Sequence, residues 1–225
     1  MRHLKRYTQL FESVQELSQE QRDWLDKCSK GKWRLNPKTG LVDVSGNFFC
    51  EEQKLKDFKG VRFGRISGKF DCSYNSLTSL EGAPQRVGNY FDCQKNSLTS
   101  LEGGPQSVGM HFDCSYNSLT SLEGAPQRVG GDFYCDNNSL TSLEGAPQNV
   151  GGSFYCGNNT ISERTIKEVL KRMSDSGISL GQAVESYWKS IPKEDRPYLA
   201  KHHTGLSPED QRGYEALLKF RDKII

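Results

Sequence analysis

Six cysteines stand at positions 50, 72, 93, 114, 135 and 156, separated by one step of 22 residues and four of 21. A period that strict means the chain repeats one supersecondary unit, each copy covering the apolar face of the last. The stretch FDCSYNSLTSLEGAPQRVG occurs twice without a change, from Phe70 to Gly88 and from Phe112 to Gly130. Aligned on the cysteines, the copies follow V-x-x-x-F-x-C-x-x-N-x-L-x-x-L-E-G-A-P-Q. The aromatic is Phe48, Phe70, Phe91, Phe112, Phe133 and Phe154. The amide is Asn75, Asn96, Asn117, Asn138 and Asn159, with Gln53 in the first unit.

Phe and Cys lie two apart, the spacing that puts both side chains on one face of a strand. F-x-C is therefore a short strand with two inward residues. The Asn falls where the chain must turn, and its amide is suited to satisfying backbone groups of its own and neighbouring coils as a ladder. The next Leu returns to the interior, and E-G-A-P-Q breaks regular structure because Gly relaxes the backbone and Pro lacks a donor. The expected coil is a strand, a tight turn and an extended or polyproline-like return. Six such strands make a parallel sheet roughly 25–30 Å wide. Apolar content is 34% and mean hydropathy −0.71. That is too polar for a large compact core but enough for a narrow buried stripe.

The F-x-C-x-x-N-x-L motif resembles the leucine-rich repeat, and the LTSLEGAP tails resemble the short bacterial-effector type. The resemblance covers 44–161. It implies an α+β protein with a parallel leucine-rich-repeat solenoid of about six coils, 21–22 residues each, whose concave face binds other proteins. Residues 1–43 are expected to form an N-terminal cap, with a helix over SQEQRDWLDKC capped by Ser18 and turning Trp24 and Leu25 inward. Residues 162–225 are expected to form a helical bundle, beginning at SERTIKEVLKRMSDSG with Ser162 as cap. Two further helices are expected over 179–192 and 207–225. The whole arrangement also resembles uncharacterised proteins of large tailed bacteriophages, which implies a host bacterial cytoplasm and a host protein as target.

The core columns barely change between copies, while the outward ones do. Inside F-x-C the middle residue reads Phe49, Asp71, Asp92, Asp113, Tyr134, Tyr155. The residue before the Phe reads Asn47, Lys69, Tyr90, His111, Asp132, Ser153. Two residues after the Cys the column reads Glu52, Tyr74, Lys95, Tyr116, Asn137, Asn158. The expected partner-binding residues are Asp71, Asp92, Asp113, Tyr134 and Tyr155, flanked by Tyr74, Lys95, Tyr116, Tyr90 and His111. Stacked aspartates repel one another and favour a partner with a basic surface, and tyrosines supply stiff contact area. The bland alternative is that Asp and Tyr merely keep an exposed sheet soluble.

Other chemistry finds little footing. The seven cysteines include no C-x-x-C pair and the count is odd, so buried reduced thiols are expected rather than zinc or disulfides. His202 and His203 read as a loop. A hard cation on Asp71, Asp92 and Asp113 would need the turn of a calcium loop, which the sequence lacks. No nucleophile–base pair or phosphate loop stands out, so no enzyme activity, cofactor or metal is expected. No run of about 18 apolar residues offers a membrane span. Formal charge is +2; residues 1–43 carry nine Lys/Arg against six Asp/Glu, 44–161 nine against twelve, and 162–225 twelve against ten. The basic tail, with Lys167, Lys171 and Arg172, makes nucleic-acid association the alternative, and a virion or assembly component the structural one. Caps at both ends favour a monomer.

Overall fold

A computed structural model of the protein describes residues 16–162 together with Thr165, Lys167, Glu168, Val169, Lys171, Asp175 and Gly177. The helices expected over 179–192 and 207–225 lie outside the described residues, as does the start of the expected N-terminal cap.

The chain is a parallel β-solenoid with two sheets. Among the described residues the first element is α1 (Gln19–Ser29). It is followed by β1 (Trp33–Leu35), β2 (Val42–Val44), β3 (Phe48–Phe49), β4 (Phe63–Ile66), β5 (Phe70–Asp71), β6 (Arg86–Val87) and β7 (Phe91–Asp92). Then come β8 (Ser107–Val108), β9 (Phe112–Asp113), β10 (Arg128–Val129), β11 (Phe133–Tyr134), β12 (Asn149–Val150) and β13 (Phe154–Tyr155). One sheet has the order β13-β11-β9-β7-β5-β3, the other β1-β2-β4-β6-β8-β10-β12. Phe48, Phe70, Phe91, Phe112, Phe133 and Phe154 pair in unbroken register, giving five turns between the first and last Phe strand.

The second sheet corrects the expected coil. The return stretch is not only extended: its residue pair before the Gly hydrogen-bonds to the same pair one coil away, as in Arg86↔Ser107 and Val87↔Val108. The reason is stacking. Once coils sit one strand spacing apart, any extended segment finds a partner with matching dihedrals, and its amides must be satisfied.

The core lies between the sheets. The six Phe of the repeat are all 0–1% exposed. From Phe48 to Phe154 they stack face to face at 5.2–5.5 Å with interplanar angles of 12° or less. Each cysteine of the ladder is buried and none forms a disulfide. The thiols of Cys72, Cys93, Cys114 and Cys135 lean on a carbonyl of the next coil at 3.2–3.3 Å. Burial pushes the thiols of Cys50, Cys72, Cys93, Cys114 and Cys135 well up, so they stay protonated.

The Asn ladder forms as expected. Asn117 Nδ2 donates to the carbonyls of Cys93 and Cys114 at 3.1 and 3.0 Å, and its Oδ1 accepts the Leu98 amide at 3.0 Å. Gln53 breaks the pattern for a reason. Its Oε1 accepts Trp24 Nε1–H at 2.9 Å and its Nε2 reaches Cys28 Sγ at 3.4 Å, which docks α1 on the first coil. Trp24 then meets Phe48 and Phe63 edge-on at 5.3 and 6.2 Å. Ser18 and Gln21 form a reciprocal capping box at the start of α1. At the other end Ser162 Oγ accepts the Thr165 amide at 3.0 Å, the bond expected of an N-cap. Thr165, Lys167, Glu168, Val169, Lys171 and Asp175 are helical.

Candidate functional site

The ten expected residues divide into groups once the coils are stacked. The outward face of the six-stranded sheet displays two adjacent columns, one on each side of the buried Phe. Tyr90 and His111 belong to the first, and Asp71, Asp92, Asp113, Tyr134 and Tyr155 to the second. Tyr74, Lys95 and Tyr116 sit apart, on the turn beyond the strand.

The aspartates are less open than expected. Asp71 is only 8% exposed, and its Oδ1 accepts both the amide and the hydroxyl of Ser73, at 3.1 and 2.6 Å. Lys69 Nζ lies 2.9 Å from Asp71 Oδ2 and 3.5 Å from Asp92 Oδ2. The expected free acidic stripe is therefore corrected at its first member. A lysine from the neighbouring column folds over it, because residues two apart on a strand share a face. Asp92 accepts from the Gln94 backbone and side-chain amides, each at 3.3 Å. Burial first, and then the charges of Asp71 and Asp113, push the Asp92 carboxyl up to about 6. Burial also raises Asp113, against a 2.9 Å bond from the Ser115 amide.

Aromatic rings flank these carboxylates. Tyr90 stacks on His111 at 4.8 Å, and Tyr134 on Tyr155 at 4.8 Å with an interplanar angle of 4°. His111 and Tyr134 approach at 6.3 Å. Between them opens a cleft of about 160 Å³ lined by Tyr90, Phe91, Asp92, His111, Asp113 and Tyr134.

Asp132 organises the cleft wall, and sequence reading did not single it out. Its Oδ2 accepts the Tyr134 hydroxyl at 2.9 Å and its Oδ1 the Ser153 amide at 2.7 Å. Its own backbone N–H donates to His111 Nδ1 at 3.0 Å. That nitrogen therefore carries no proton in this arrangement, and the imidazole N–H is on Nε2. The same nitrogen lies 3.1 Å from Asp132 Oδ2. Burial, followed by the bond to Asp132, pushes the Tyr134 hydroxyl well up, so it remains a donor. The available signal was positional: Asp132 occupies the same column as Tyr90 and His111. Gly131 is a further silent contributor, since a Cβ there would press within 3.2 Å of the His111 ring.

The turn group is a cation–π sandwich. Lys95 Nζ lies 4.6 Å from the Tyr74 ring and 5.2 Å from the Tyr116 ring. Tyr74, Lys95 and Tyr116 all have left-handed backbones, with φ of 54°, 52° and 56°. The Asn ladder imposes this turn on whatever residue precedes it, so Asn137 and Asn158 adopt it too.

The other sheet turns a different column outward, which sequence reading missed because it did not anticipate that sheet. Arg65, Arg86, Ser107, Arg128 and Asn149 follow one another in register. Among the described residues, no three His, Cys, Asp or Glu side chains converge to hold a metal ion, and no helix is long and apolar enough to cross a membrane. Comparison with protein-family models, curated proteins and solved structures finds no match to this chain.

Proposed function

We propose that the protein is a binding module that docks a partner protein on the outward face of the six-stranded sheet. The observation that carries this reading is the contrast between columns. The inward residues repeat almost without change, whereas the outward face varies from coil to coil and collects Tyr90, His111, Tyr134 and Tyr155 beside Asp92 and Asp113. A sheet kept merely soluble needs no stacked rings, and paired aromatics with polar tips are what protein interfaces favour. Asp92 is held against its charge by burial and then by its acidic neighbours, a local cost of the kind found at functional surfaces. The reading assigns no chemistry to the protein: it holds a partner, and a bacterial host protein with a basic surface is the partner class we put forward.

The test is affinity capture from bacterial lysate with the full chain, wild type beside Tyr134→Ala/Tyr155→Ala and Asp92→Lys/Asp113→Lys. A protein retained by wild type and lost by both variants, with unchanged circular dichroism, supports the assignment. Equal recovery by all three baits moves the site off this face.

A further inference from the structure

We infer that the cleft between β7, β9 and β11 is a subsite for a guanidinium group, presented by an arginine of the partner protein. The inference rests on the docking reading above and adds to it a specific anchor. The lining has two kinds of group, and both favour the same ligand. Asp92 and Asp113 face outward from adjacent registered strands, which lie about 4.8 Å apart. That separation lets one planar fork donate to both carboxylates, or bidentately to either. The stacked rings of Tyr90 and His111 line the cleft together with Tyr134. Aromatic faces attract a weakly hydrated, delocalised cation and can stack on its plane.

The neighbouring charges decide which end of the acidic column is available. Lys69 spans Asp71 and Asp92, and Asp71 is further occupied by Ser73. Asp113 forms no ion pair among the described residues. Asp132 is directed to Tyr134, Ser153 and His111 and so shapes the wall rather than the floor. The net electrostatic deficit is centred on Asp92 and Asp113, inside the cleft. An ammonium would satisfy the charge but lacks a plane to lie against rings, and an anion would meet two carboxylates.

The probe is the blocked peptide acetyl-Gly-Arg-Gly-amide, titrated into the ¹⁵N-labelled full chain and followed by amide shifts. Acetyl-Gly-norleucine-Gly-amide and acetyl-Gly-Glu-Gly-amide serve as controls. The expected result is saturable shifts at Asp92, His111, Asp113 and Tyr134 with the Arg peptide alone, weakened roughly tenfold in Asp92→Asn/Asp113→Asn. Those amide replacements keep size and hydrogen-bonding capacity, and an unchanged spectrum elsewhere verifies the fold. Equal shifts from the norleucine peptide, no shifts at the cleft, or full affinity in the Asn variant would overturn the subsite. The two readings separate cleanly. If Tyr134→Ala/Tyr155→Ala abolishes partner capture while the Arg peptide leaves the cleft untouched, the docking face stands and the guanidinium subsite falls. If the Arg peptide binds the cleft but capture survives every variant, the docking reading falls.

Discussion

Asp92 shows how a single residue is set by its neighbours. In an isolated strand it would be an ordinary carboxylate near 3.8; largely buried, and set between the charges of Asp71 and Asp113, it moves to about 6. A carboxyl raised by folding stabilises the native state fully below its unfolded value, and that contribution is lost as pH rises through the folded one. Asp92→Asn should therefore leave thermal stability unchanged below pH 4. Above pH 6 it should raise stability by on the order of 2 kcal/mol. Melting curves at both pH values check this, and equal melting shifts at the two would refute it. Gly109 is constrained by contact rather than charge, since a Cβ there would overlap the Gly88 carbonyl oxygen of the preceding coil. Gly109→Ala should cost about 1–3 kcal/mol by forcing the coils apart, read as a lower denaturant midpoint. Gly124 needs its glycine twice over, with φ +85° and a close approach to the Leu101–Glu102 backbone.

At the scale of the element, the turns hold the strands, because the strands themselves are mostly two residues long. Two-residue strands contribute too few ladder bonds to fix a register alone. The Asn side chain supplies the missing constraint by joining each coil to the one before. Asn117→Ala would strand the Leu98 amide, while the carbonyls of Cys93 and Cys114 would keep only the side-chain amides of Asn96 and Asn138. We expect a loss of about 2 kcal/mol, with accelerated amide exchange at Leu98 and not at Leu119, whose amide is held by Asn138. A variant that melts within a degree of wild type would show that the ladder is dispensable. The element α1 plays the corresponding part at the first coil, where Gln53 trades the ladder role for bonds to Trp24 and Cys28.

For the whole molecule, each coil contacts mainly its neighbours, so stability is close to a sum of like terms. Deleting 91–111, one full period, should bring Phe112 onto Phe70 in register and give a shorter folded solenoid. Deleting 91–110 should not, because a one-residue slip turns the Phe column outward. Far-UV circular dichroism and cooperative melting separate the two, and identical behaviour of both deletions would refute the register argument.

The periodic cysteines, the invariant Phe and the Asn were sufficient to predict the parallel solenoid, the buried columns and the hydrogen-bonded ladder. The reason is local: a 21-residue unit that cannot bury its own apolar face has one economical arrangement, which is to stack. The outward columns were legible for the same reason, since alternation about the Phe fixes which side chains leave the core. Tertiary structure alone decided what those columns do. The second sheet depends on pairing between segments about twenty residues apart, which no local propensity reports. Lys69 reaching across to Asp92, and Asp132 meeting His111, arise only when adjacent coils come within hydrogen-bond reach. Depth and electrostatics at Asp92 and Asp113 follow from that juxtaposition, because burial and charge repulsion are properties of the stacked assembly and not of any one repeat.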